Sequence, residues 1–128
     1  MFILLAAGIL LTACSRSPQN LSGDAKLQQR IVGTWHSNGD FNGVLVYDAD
    51  GHFSSHFTNG IEKWAYQATW SVQDSNIVST VTQVSFENTT NHDTLGHTTR
   101  YRVVYLDDHN LLYAFNVEGT WITNWVSR

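Results

Sequence analysis

The residues able to do chemistry are few. His52 and His56 would chelate one ion from a helix, where positions four apart share a face. On a strand they also share a face but stand about 13 Å apart along the chain. That is too far for two ligands of one Zn2+, so solvent-facing histidines are the expectation. His92, Asp93 and His97 lie close in sequence and could converge, but they lack a clear third ligand partner. Asp48-x-Asp50-Gly51 has the opening of a calcium loop, yet its glycine arrives two places early and Asn59 stands where the closing glutamate belongs. It reads as a turn. No serine sits in a Gly-x-Ser-x-Gly elbow. Asp107 and Asp108 are adjacent and point apart on a strand or turn, which leaves no acid/base pair. No catalytic site assembles, so the chain is not expected to be an enzyme, and no metal or cofactor is implied.

A second set is aromatic: Trp64, Tyr66, Trp70, Tyr101, Tyr113 and Phe115. Rings can fill a core, or line a cup for one small apolar ligand whose polar group a tyrosine hydroxyl orients. The elements that position them decide between the two. The chain has 128 residues, one domain by length. Hydrophobic residues make up 42% and charged ones 14%, with a net charge of −4. The seven Lys and Arg are scattered, so the basic stripe of a nucleic-acid binder is missing and nucleic acid is not an expected partner.

Asp24 to Arg30 predicts a short helix, with Asp24 as N-cap and Gly33 as terminator. Strand-like runs follow at roughly Gly33–Ser37, Gly43–Tyr47, His52–Thr58, Lys63–Val72, Ile77–Phe86, His97–Leu106, Leu111–Val117 and Thr120–Ser127. Turn residues separate them: Asp48-Ala-Asp-Gly51, Thr58-Asn-Gly60, Gln73-Asp-Ser-Asn76, Asp107-Asp-His-Asn110 and Glu118-Gly119. Only the link from Glu87 to Gly96 is long. Hairpin-length links force antiparallel neighbours. The expected fold is therefore all-β, an antiparallel up-and-down barrel that closes to hide its edges.

Alternation assigns the interior. Trp64, Tyr66, Ala68, Trp70 and Val72 share one face of the fourth strand. Tyr101, Val103 and Tyr105 share a face of the sixth, opposite Arg100 and Arg102, and Leu111, Tyr113, Phe115 and Val117 share one of the seventh. The third presents Phe53 and Phe57 against His52, Ser54 and His56. In the eighth, Trp121 and Trp125 stand opposite Ile122 and Val126. The second strand is ambiguous. If Leu45, Tyr47, Val104 and Leu106 lay on the surface, they would mark a protein partner.

Ile31-Val-Gly-Thr-Trp35 leading into the first strand, Tyr47-Asp-Ala-Asp-Gly51-His-Phe53 and Ala68-Thr-Trp-Ser71 together resemble the bacterial lipocalin-like domains. The resemblance runs from about Ile31 to the end of the chain. It implies an eight-stranded barrel whose Gly33-x-Trp35 signature plugs one end, with Gly33 allowing close backbone approach and Arg128 packing on Trp35. The chain is shorter than true lipocalins and lacks their second signature and disulfide.

The N-terminus points to an address. Ile3 to Leu11 is an apolar run of about nine residues, the length of a signal-peptide core and too short to span a bilayer. Only Met1 and Phe2 precede it, where a signal peptide usually carries Lys or Arg. Leu11-Thr12-Ala13-Cys14 resembles the lipobox of bacterial lipoproteins. That resemblance implies a signal peptide over residues 1–13, palmitate-type acylation of Cys14, a lipidated tether over 14–24 and the barrel domain over 25–128. Cys14 is the single cysteine, so no internal disulfide can form. Ser15 follows it rather than aspartate, which implies the outer membrane, with the barrel facing the periplasm. The expected function is binding of a small hydrophobic ligand. The alternative is an envelope protein-interaction or inhibitor module with a solid core and no ligand, whose protein partner the sequence does not name.

Overall fold

The computed structural model describes residues 22–39, 42–87 and 95–128. The apolar run, Cys14, the tether and the pair His92-Asp93 lie outside the described residues. The elements are α1 (Gly23–Ile31), β1 (Gly33–Asn38), β2 (Asn42–Tyr47), β3 (His52–Thr58), β4 (Lys63–Gln73), β5 (Asn76–Glu87), β6 (Thr98–Leu106), β7 (Asn110–Val117) and β8 (Thr120–Ser127). Each strand pairs antiparallel with its neighbour in sequence, and β8 returns to β1 at His36↔Ser127 to close the barrel. The up-and-down antiparallel β-barrel with a short N-terminal helix, read from the sequence, is the fold observed.

Local chemistry explains the links. Gln73↔Asn76 encloses a two-residue turn in which Asp74 (φ 51°) and Ser75 (φ 62°) are both left-handed, the geometry that matches strand twist. Gly51 takes φ 89° in the β2–β3 link, where a side chain would be strained. Asn59-Gly60 does not form the two-residue turn its sequence suggests. The β3–β4 link runs from Thr58 to Lys63, and the Asn59 side-chain oxygen accepts the N–H groups of Ile61 (3.0 Å) and Glu62 (2.7 Å) instead. At the β6–β7 turn the Asp107 carboxylate accepts from the N–H groups of His109 and Asn110 and from the Tyr105 hydroxyl, which hold it down at about 2.

The helix start differs from expectation. Ser22 is the N-cap, its hydroxyl accepting the Ala25 N–H at 3.1 Å. Asp24 instead accepts the N–H groups of Asp74 and Ser75, both at 2.9 Å, and so clamps α1 to the β4–β5 turn. Gly33 does not end the helix either: Val32 is its C-cap and Gly33 already belongs to β1. The Gln28 side chain accepts the Val72 N–H at 3.0 Å, which lays α1 across the end of the barrel.

Two bulges reset the alternation. On β5, Gln67↔Gln83 is followed by Ala68↔Val81, leaving Thr82 as the extra residue. On β6, Val103↔Tyr113 is followed by Tyr105↔Leu112, leaving Val104 extra. The second bulge corrects the expected facing: Tyr105 is on the outer face, 47% exposed, whereas Tyr101 and Val103 stay with the core. The second strand is no longer ambiguous. Leu45 and Tyr47 are buried at 2% and 4%, so they mark no surface. Leu106 packs against the core, and of the four only Val104 is exposed.

Candidate functional site

The helix end of the barrel is closed. Trp35 is fully buried, and its indole N–H donates to the Ile31 carbonyl at 2.8 Å. The Arg128 guanidinium lies 4.2 Å over the Trp35 ring and donates to the carbonyls of Arg30 and Val32. Gly33 sits at φ +138°, and a Cβ there would come 3.5 Å from the Arg128 guanidinium carbon. The structure thus brings Gly33, Trp35 and Arg128 together. Tyr47, Phe53 and Trp70 belong to the same buried core, with Tyr47–Phe53 ring centroids 4.6 Å apart and Tyr47–Trp70 4.9 Å apart, edge-on.

A cavity of about 780 Å³ opens toward the other end. Phe57, Tyr66, Tyr101, Tyr113, Phe115 and Asn124 line it, and His97, Arg100, Glu118 and Trp121 stand at its rim. Tyr101 meets Tyr113 at 5.3 Å and Phe115 at 5.5 Å, both edge-on. The Asn124 amide donates to the Tyr113 hydroxyl at 2.9 Å. Four of the six expected lining residues (Tyr66, Tyr101, Tyr113 and Phe115) therefore share this cup, and two do not. Trp70 is buried, its indole N–H bound to the Asp48 carbonyl at 3.0 Å. Trp64 stacks on Phe57 at 5.3 Å, and Phe57 in turn lies 6.3 Å from Tyr66, so the Phe57 ring stands between Trp64 and the cup. Gly43 makes that possible: a Cβ there would fall 2.3 Å from the Phe57 ring.

Phe57 and Asn124 escaped the sequence reading as lining residues. Alternation had already turned Phe57 inward. Asn124 lies two residues before Val126, which is fully buried, so the same alternation carries it inside.

Among the described residues the wall of the cup is not continuous. Residues Thr98–Arg102 of β6 pair with β5, whereas the β6–β7 ladder begins only at Arg102↔Ala114. Beyond that pair β7 runs on with β8 alone, to Val117↔Thr120. The strands diverge there, and the cavity is lined both by the inward Tyr101 and Phe115 and by the outward Arg100, Asn116 and Trp121. A side opening between β6 and β7 thus joins the mouth.

Burial governs the electrostatics inside. It pushes the Tyr47 hydroxyl well above its ordinary value, with Tyr113, Tyr101 and Tyr66 as the next causes, so these four phenols share one interior. Tyr113 is raised by burial and partly brought back by the Asn124 bond. The Ser55 hydroxyl is fully buried and has no hydrogen-bond partner among the described residues. Such a site holds an apolar body by ring faces and can orient one polar group.

A second concavity of about 480 Å³ is lined by His36, Val44, His56, Ala65 and Ser85, successive cross-strand neighbours on the outer face of β1 to β5, and also by Ser37, Gly43, Phe57 and Trp64 of the opposite face, so Trp64 lines this concavity and not the cup. His52 is exposed and pairs with Asp50 at 2.9 Å, a hydrogen bond that lowers the Asp50 carboxyl. Among the described residues no group of three His, Cys, Asp or Glu could hold a metal ion, and no helix is long and apolar enough to cross a membrane. Fold and cavity define a class, a closed antiparallel barrel with one plugged end and an aromatic cup. No family model and no curated protein matches the chain.

Proposed function

We propose that the chain is a lipocalin-like lipoprotein, anchored through Cys14 in the outer membrane and facing the periplasm, that binds one small, mainly apolar molecule in the aromatic cup. The observation that carries this reading is the cup itself. Its volume of about 780 Å³ suits a small molecule, and it opens opposite the end closed by Trp35. Ring faces supply the apolar contact, and the Tyr113–Asn124 pair supplies one polar handle. Among the described residues, the inward side chains of the cup include no Lys or Arg and Arg100 stands only at the rim, which favours a ligand whose buried part is uncharged. The lipocalin-like reading is supported by Gly33-x-Trp35 at the start of β1 with Arg128 stacked on the indole.

Titrating the protein with a panel of small hydrophobic probes, while following tryptophan emission, tests the cup. A saturable change that Tyr101→Ala weakens is expected; a flat response to every probe overturns the ligand reading. The second concavity, whose lining includes the outer-face residues Val44 and Ala65, supports a second reading, an envelope protein-interaction module. A flat titration together with a partner retained on purification from the native envelope would favour it. The anchor has its own test. Cys14→Ser should move the protein from the membrane fraction to the soluble one, and a variant that still sediments with membranes contradicts lipidation.

A further inference from the structure

We propose that the outer face of β6, β7 and β8 docks on the headgroup layer of an anionic membrane. Trp121 is 58% exposed, Trp125 53%, Val104 53% and Tyr105 47%, all on this face. Tyr105, Leu112 and Trp125 pair in one row across the three strands, and the Tyr105 and Trp125 rings are stacked at 6.0 Å with planes 13° apart. The bulge at Val104 is what turns Tyr105 outward to complete that row. Arg102 lies 5.8 Å over the Trp121 ring.

Within the three strands the charge is one-sided, although the Asp107 carboxylate accepts the Tyr105 hydroxyl at 2.8 Å and so borders the aromatic row. The chain as a whole carries −4, yet Arg100 and Arg102 are the only charged side chains in the three strands, and both are exposed. Asp107, Asp108 and Glu118 lie in the turns at the two ends. A hydrocarbon interior would reject the guanidinium groups, and bulk water gives two exposed indoles nothing to cover them. The headgroup layer satisfies both: indole and phenol rings settle at that depth, and guanidinium pairs with lipid phosphate.

The proposal rests on the Cys14 anchor, which brings the barrel to the bilayer; the chain from Cys14 to Ser22 reaches at most about 27 Å. Docked in this way, the opening between β6 and β7 faces the membrane. An apolar ligand could then pass between bilayer and cup without crossing water.

The test uses the full-length protein with vesicles of phosphatidylethanolamine and phosphatidylglycerol, part of whose acyl chains carry bromine, a short-range quencher of indole emission. Flotation reports the anchor, and quenching reports the face. On floated protein, emission should fall by up to two-fifths, the share of Trp121 and Trp125 among five tryptophans. Trp121→Phe/Trp125→Phe should abolish the quenching, and Arg100→Gln/Arg102→Gln should reduce it while the far-UV circular dichroism spectrum of the folded protein stays unchanged. Floated protein that is not quenched overturns the docking face and leaves the anchor intact. If wild type does not float, the anchor reading fails, and quenching by added excess vesicles still decides the face. Protection of both indoles from iodide by concentration-dependent dimerisation, without vesicles, would assign the face to a second copy and overturn the proposal.

Discussion

Trp35 shows how much one side chain carries. Its ring fills the closed end of the barrel, its N–H is satisfied within the helix, and its upper face is covered by Arg128. Trp35→Ala should cost about 3–5 kcal/mol, as a buried large-to-small change does; urea unfolding measures it. A loss under about 1 kcal/mol would mean that the barrel end collapses onto the gap. The glycine and tryptophan of this plug were legible because their spacing and place before the first strand are sequence features. The cup was legible only in part. Trp64 and Trp70 have the right types and the right strand face, but Phe57 screens one and depth in the barrel removes the other. Depth along a strand is set by barrel stagger, which alternation does not encode.

Among the elements, hairpin turns were the most readable, because each needs particular backbone angles that few residues adopt. The β4–β5 turn is an instructive compromise. Asp74 and Ser75 both take the left-handed conformation, which costs an ordinary residue about 1–2 kcal/mol, and the Asp24 carboxylate offsets this by accepting both N–H groups. Ser75→Gly keeps that clamp and removes strain, so it should stabilise the protein by up to about 1 kcal/mol, measured by thermal unfolding. The helix cap and the Asn59-Gly60 link were misread for one reason. Asp and Asn side chains can bond nearby or distant backbone groups, and only the packed chain shows which of these they reach.

On the scale of the whole molecule, burial of phenols sets an alkaline limit. The folded state holds Tyr47 protonated well above its ordinary range, whereas the unfolded chain ionises near pH 10. The sign follows from linkage: stability is unaffected below about pH 10 and is lost as pH rises beyond it, because the unfolded state releases the proton first. Tyr47→Phe should shift the alkaline unfolding midpoint to higher pH, read from circular dichroism alongside tyrosinate absorbance. An unchanged midpoint would place the controlling group elsewhere. Barrel closure also matters at this scale. β8 meets β1 at His36↔Ser127, and that seam puts Arg128 over Trp35.

The stacking of Arg128 on Trp35 was implied only by the resemblance and is decided by barrel closure, whereas the sequence by itself determined the class of fold, the order of strands and most of the inward residues. These follow from short-range rules: a period of two along strands, turn residues with special backbone angles, and hairpin links that leave neighbours no choice but antiparallel pairing. Tertiary structure alone decided the bulge at Val104, the outward turn of Tyr105, the screening of Trp64 and the divergence of β6 from β7. A bulge adds one residue on one strand only, so it shows up only against a partner, and every facing beyond it inverts. That one residue places an aromatic ring on the outer face instead of in the core.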